Sequence, residues 1–64
     1  MIVARNIKEH GVNNKTYSGE VDSSKVIIIF EDGCIPLTGG DIKVITGKMV
    51  IKNGMNYLYV RDYR

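Results

Sequence analysis

Asn53-Gly54 sits between two apolar-rich runs, Lys48 to Lys52 and Met55 to Arg61. A two-residue hairpin turn needs positive φ at both central positions, and Asn-Gly tolerates that better than almost any other pair. The dipeptide therefore fixes a hairpin and, with it, a register. Val50 falls opposite Tyr57, Met49 opposite Leu58, Ile51 opposite Asn56 and Lys48 opposite Tyr59. Directly opposed residues share a sheet face. One face then carries Met49, Ile51, Leu58 and Val60, an expected core face. The other carries Lys48, Val50, Lys52, Met55, Tyr57, Tyr59 and Arg61, with Tyr63 continuing it, and is basic and aromatic.

The rest of the chain has similar punctuation. Turn signals recur about every eight residues, as they do in all-β chains. Ile2 to Ile7 reads as a strand, and Glu9 to Asn14 as a polar loop. Lys15 to Val21 is a strand in which Gly19 marks a bulge or bend. Asp22-Ser23-Ser24 is a turn. Val26 to Phe30 is an apolar strand, and Asp32-Gly33 a tight hairpin turn. Cys34 to Thr38 reads as a returning strand, on an edge or at a bulge because Pro36 cannot donate to a ladder. Gly39-Gly40-Asp41 breaks the chain again, Ile42 to Thr46 is a strand, and Gly47 is a bend. The Asp32-Gly33 hairpin would set Val26, Ile28, Phe30, Ile35 and Leu37 on one face. Ile27, Ile29, Cys34 and Pro36 would lie on the other. Both faces are apolar, so both need cover. Ile27, Ile29 and Pro36 are accordingly candidates for a face buried in a homo-oligomer.

Composition supports strands over helices. The chain has nine Ile, seven Val and three Thr against two Leu and one Ala. These residues favour the pleated sheet over the helix. With 64 residues the expectation is one domain. It should be a small barrel or sandwich of five to seven short antiparallel strands, SH3-like or OB-like, with no substantial helix.

Tyr17-x-Gly19-x-Val21, then Val26-x-Ile28-x-Phe30-x-Asp32-Gly33, then Leu37, resembles the core of an SH3-like barrel of the Tudor or KOW type. The resemblance covers about residues 15 to 46. It implies a small barrel with a bent glycine-containing strand and an acidic-Gly hairpin. It implies no ligand residues, because these strands carry only Tyr17 and Phe30 toward the family's aromatic cage. The hairpin from Gly47 to Arg61 goes beyond the pattern.

Chemistry finds few footholds. His10 is the single histidine and falls in Glu9-His10-Gly11, a loop signature. Cys34 has no cysteine partner, so no disulfide forms within the chain. His10 and Cys34 are too few for a structural zinc site. A Cys34/His10 nucleophile pair lacks the helix N-terminus that would lower a thiol pKa. Asp22, Asp32 and Asp41 sit where turns favour Asp for its own backbone hydrogen bonds. Gly39-Gly40-Asp41 lacks the Lys-Ser/Thr and helix start of a phosphate loop. No catalytic set, metal or cofactor is expected. No run of 18 apolar residues suggests a membrane span. The free cysteine and polar N-terminus point to the cytoplasm. Asn14-Lys15-Thr16 matches a glycosylation acceptor, which that compartment leaves idle.

Lys48, Lys52, Tyr57, Tyr59, Arg61 and Tyr63 form the expected binding site. Tyr and Arg give large contact area at low entropic cost, which suits a protein partner. Aromatic rings with cations also suit single-stranded nucleic acid, although a net charge of +2 is modest for that partner. Strand propensity alone also selects Tyr, and lysine commonly protects sheet faces. The leading expectation is a non-enzymatic interaction module, an adaptor or inhibitor of the kind phage and mobile elements encode. It would bind a protein or a second copy of itself. The alternative is nucleic-acid binding through the same face.

Overall fold

A computed structural model describes residues 1–11 and 16–64. Five strands form it: β1 (Ile2–His10), β2 (Thr16–Val21), β3 (Ser24–Phe30), β4 (Ile42–Lys52) and β5 (Met55–Tyr63). They close into one barrel in the order β1-β2-β3-β5-β4. The described residues contain no helix. This all-β closed barrel agrees with the expected fold class, and at a coarse level with an SH3-like fold. β1, β2 and β3 form a meander, and β4 returns beside β1. That is the 4-1-2-3 order of a Greek key.

One pairing departs from the all-antiparallel expectation. β3 and β5 run parallel, with Ile27, Ile28, Ile29 and Phe30 beside Tyr57, Leu58, Tyr59 and Val60. Glu31 N–H extends this ladder by donating to the Val60 carbonyl at 2.8 Å. Parallel neighbours need a crossover rather than a hairpin. Here residues 31–41, β4 and the Asn53-Gly54 turn together supply it.

The connection 31–41 is not the strand expected at Cys34 to Thr38. Cys34 N–H donates to the Glu31 carbonyl at 2.9 Å, closing a β-turn over Asp32-Gly33. Only Gly33 of the two central residues has positive φ, at 87°. That matches a type II turn, which splays flanking strands instead of pairing them. The segment crosses one end of the barrel. Leu37 and Cys34 pack on the core, whereas Ile35 is 79% exposed. Gly39 N–H donates to the Ile7 carbonyl, and Ile7 N–H to the Gly40 carbonyl, so the segment is tied to β1.

Two tight turns, each joining neighbouring antiparallel strands, have the primed geometry. Asn53 and Gly54 have φ of 52° and 75°, and Asp22 and Ser23 have φ of 51° and 69°. Positive φ at both centres matches the right-handed twist of the strands. β4 and β5 then pair as the Asn53-Gly54 register requires, including Val50 with Tyr57 and Lys48 with Tyr59. β4 also joins into one strand the two segments expected on either side of Gly47.

Two irregularities bend the barrel closed. The β1–β2 register shifts between Arg5 and Lys8, and Asn6 has φ of 54°. An extra residue on β1 resets the alternation, so Ala4 and Ile7 both face the core. Gly19, opposite this bulge, leaves β2 in regular register with β3. Its role is close approach: a Cβ there would lie 2.9 Å from Ile28 Cδ1 and 3.0 Å from the Arg5 carbonyl oxygen. The second irregularity spans Val44 to Gly47 on β4. At Gly47 a Cβ would sit 2.3 Å from the Tyr59 carbonyl oxygen.

β1 also runs past its expected end, so Glu9 and His10 lie in a strand rather than a loop. Asn14 and Lys15, assigned above to a loop and to the start of β2, lie outside the described residues. The core consists of Ala4, Ile7, Tyr17, Val26, Ile28, Ile42, Val44, Leu58 and Val60. Met49 and Ile51, expected in it, are 40% and 76% exposed. Their face is correct, but β1 covers β4 only from Ile42 to Val44. The hairpin runs on beyond the core.

Three substitutions test the backbone argument. Ser23→Gly relieves a left-handed residue, and should raise stability by about 0.5 kcal/mol, or roughly 3 °C in Tm. Ser24→Gly, one step into β3, should lower it by a similar amount. Gly47→Ala should cost about 2 kcal/mol or more, since the new methyl meets backbone. Thermal and urea unfolding followed by circular dichroism measure all three.

Candidate functional site

The parallel β3–β5 pair gathers the expected site residues and adds to them. Partnered residues point the same way, so each step along β5 builds a row across the outer wall. One row is Ile27, Tyr57 and Val50, and the next is Ile29, Tyr59 and Lys48. Ile27, Ile29, Val50, Tyr57 and Tyr59 are all half-buried, while Lys48 and Lys52 are exposed. Sequence reasoning had placed Ile27 and Ile29 on one face and the tyrosines on another. They form one surface. No local signal could join them, because the pairing links strands far apart in the chain.

Arg61 continues the outer face of β5, and its Nη2 lies 3.2 Å from Glu31 Oε2. The pair is solvent-screened, so it contributes little stability and mainly holds Arg61 at the rim. A groove follows this wall, lined by Ile29, Glu31, Lys48, Val50, Tyr59 and Arg61 among others. It holds charges of both signs, since Asp32 also lines it.

Two expected members are elsewhere. Tyr63 leaves the stripe although it stands two residues beyond Arg61. The β4–β5 register slips at Val44–Gly47, and Tyr63 pairs with the inward-facing Val44. Its ring packs edge-on to Phe30 with centroids 5.7 Å apart, and its hydroxyl donates to the Ile35 carbonyl. Tyr63 therefore fastens segment 31–41 to the barrel. Pro36 is exposed on that same segment, apart from Ile27 and Ile29.

The isolated chemical groups have structural surroundings. His10 Nε2 and Ser18 Oγ share a hydrogen bond across β1 and β2. The Tyr17 hydroxyl donates to Glu9 Oε2 at 3.3 Å. Burial first, and then the Glu9 carboxylate, raise the Tyr17 pKa above its usual 10.0. Cys34 is half-buried, and burial followed by the Asp62 and Glu31 carboxylates raises its thiol above the usual 9.0. A raised thiol pKa is the opposite of what a thiolate nucleophile needs. No cluster of three or more His, Cys, Asp or Glu able to hold a metal occurs among the described residues. No helix of the described residues is long and apolar enough to cross a membrane.

A smaller groove lies on the β1–β4 wall at Val3, Arg5, Asp41, Ile42, Lys43 and Arg64. Arg5 and Asp41 bridge within it at 3.5 Å, and it holds no aromatic ring. The β3-β5-β4 wall is the better-equipped surface.

No family model, curated protein or solved structure matches this chain.

Both raised pKa values carry a pH consequence. A group whose folded pKa exceeds its unfolded value adds stability below the unfolded pKa, and that stability is lost as pH rises through the folded value. The melting temperature should therefore decline above about pH 9. Cys34→Ser should remove the part of the decline that begins nearest pH 9, and Tyr17→Phe the part above pH 10. Alkylation of Cys34 by iodoacetamide at pH 8 should run slower in the folded protein than in urea.

Proposed function

We propose that this protein is a non-enzymatic binding module, an adaptor or inhibitor, that docks a protein partner on the outer wall of β3, β5 and β4. One observation carries the reading. The parallel strands set Ile27 and Ile29 beside Tyr57 and Tyr59, with Val50 next in line and Lys48, Lys52 and Arg61 around them. An aromatic and aliphatic centre inside a charged rim is the composition of protein-binding hot spots. Tyrosines held on a rigid sheet lose little entropy on contact. Acidic Glu31 and Asp32 stand in the same groove as the cations, which suits a polypeptide carrying both charges. The unpartnered cysteine fits a reducing, cytoplasmic setting.

A second reading rests on the strand order. Five-stranded Greek-key barrels of the OB type bind oligonucleotides, and a Tyr/Lys wall offers stacking and phosphate neutralisation. The modest net charge of +2 and the two acidic residues in the groove place this reading second. The Tudor- or KOW-type reading has less support, since Phe30 packs edge-on against both Tyr17 and Tyr63, and these rings pack together instead of framing an open cage.

The test compares the protein with a Lys48→Glu/Lys52→Glu/Tyr59→Ala variant. Affinity capture from the source cell should recover a defined partner, and the folded variant should lose at least about tenfold of that affinity. Undiminished capture by the variant removes the wall from consideration. A labelled single-stranded oligonucleotide tests the second reading. Tight binding that weakens steeply between about 50 and 200 mM salt would replace the first reading with it.

A further inference from the structure

The barrel is closed by only a short stretch of β4. β1 pairs with Ile42, Lys43 and Val44 through Ala4, Val3 and Ile2. β4 continues to Lys52, pairing with β5 throughout. From Gly47 to Lys52, no strand of the described residues pairs with the other edge of β4. An unpaired strand edge is a template for another strand. Four of the six exposed large apolar residues lie on this hairpin. Ile45, Met49 and Ile51 lie on β4, and Met55 starts β5 directly opposite Lys52.

The geometry points to a second copy of this chain as the occupant, pairing β4 with β4 antiparallel about a two-fold axis through Met49. Side-chain parity and charge favour that register over those centred on Lys48 or Val50, and a pairing centred on Ile51 would use only Val50 to Lys52 of the free edge. Under two-fold symmetry, opposed residues must share a face, so their numbers differ by an even amount. Centring on Lys48 would oppose each Lys48 to its own copy. Centring on Val50 would oppose Lys48 to Lys52. Like charges directly opposite are destabilising. Centring on Met49 sets Lys48 against Val50 and leaves Lys52 beside the irregular stretch that precedes Gly47, so neither lysine faces another.

The same register makes the other face self-complementary. Met49 meets Met49, and Ile51 lies across from Gly47. Gly47 lacks a side chain because the Tyr59 carbonyl oxygen occupies that space. Its neighbour across the pair meets no Gly47 side chain, and Ile51 is 76% exposed and available. The assembly would run β3-β5-β4-β4-β5-β3 as one continuous sheet. It would set two copies of the Tyr57/Tyr59 wall side by side, although the inference does not depend on what that wall binds.

Sedimentation equilibrium of the full chain from about 10 to 500 µM tests the association, because a dimer's mass and melting temperature depend on concentration. A dimer is expected, and a monomer throughout overturns the proposal. Met49→Lys puts two cations on the axis and should raise the dissociation constant by roughly tenfold or more. Met49 is 40% exposed, so the barrel's own unfolding should change little. An unaltered dimer in that variant overturns the edge as the interface. Cross-linking gives a second reading in a Cys34→Ser background. Opposed Cα atoms lie about 4.5–5.5 Å apart, within disulfide reach, so Met49→Cys should oxidise to a covalent dimer. Ile51→Cys should not, since its copies would stand about 13 Å apart. Cross-linking through position 51 instead of 49 overturns the register.

Discussion

The parallel pairing of β3 with β5 is the constraint on which the rest of this barrel depends. Each hairpin could form locally, β2 with β3 and β4 with β5. Neither would bury its apolar face alone. Placing Ile28 beside Leu58 and Phe30 beside Val60 joins the two units into one wall. The contact of β1 with β4 completes the circuit. The parallel direction also dictates the long connection 31–41, which must carry the chain from the end of β3 to the start of β4. That segment seals the core as it passes, through Cys34, Leu37 and the hydroxyl of Tyr63.

Closure with so few strands needs local breaks in the pleat. The bulge at Asn6 turns Ile7 inward and frees the Ile7 backbone to receive residues 39 and 40. Asp41 reinforces this corner by accepting the Asn6 N–H at 3.0 Å. The slip at Val44–Gly47 does the corresponding work on β4, and it separates Tyr63 from its neighbours. One backbone irregularity thus divides three tyrosines of the same strand into two with an outward role and one that fastens a loop.

The outer wall follows from the closure. A curved sheet spreads its outer side chains apart, so Ile27, Ile29, Tyr57 and Tyr59 cover one another only in part. The length of β4 beyond its contact with β1 leaves the edge and the apolar residues of the hairpin tip in solvent. Both features are products of how far the strands overlap, which is a tertiary quantity.

Local chemistry was legible in the residues themselves. Asn53-Gly54 specified the turn and the register of the distal hairpin from Lys52 with Met55 to Gly47 with Val60, because two positive-φ positions admit few alternatives. The abundance of Ile and Val specified strands. Alternation placed Val26, Ile28, Leu58 and Val60 inside. Three matters were not legible. Asp32-Gly33 resembles a hairpin turn by residue type, yet Asp32 lacks positive φ, and the chain leaves toward β4. Met49 and Ile51 have the pattern of core residues, but burial depends on whether another strand reaches them. Ile27 and Tyr57 are neighbours only because distant strands align in parallel. Turn geometry and alternation act over a few residues, and the sequence determined them by itself. Overlap, closure and non-local pairing depend on the whole chain's competition to bury one core, and only the tertiary structure decided them.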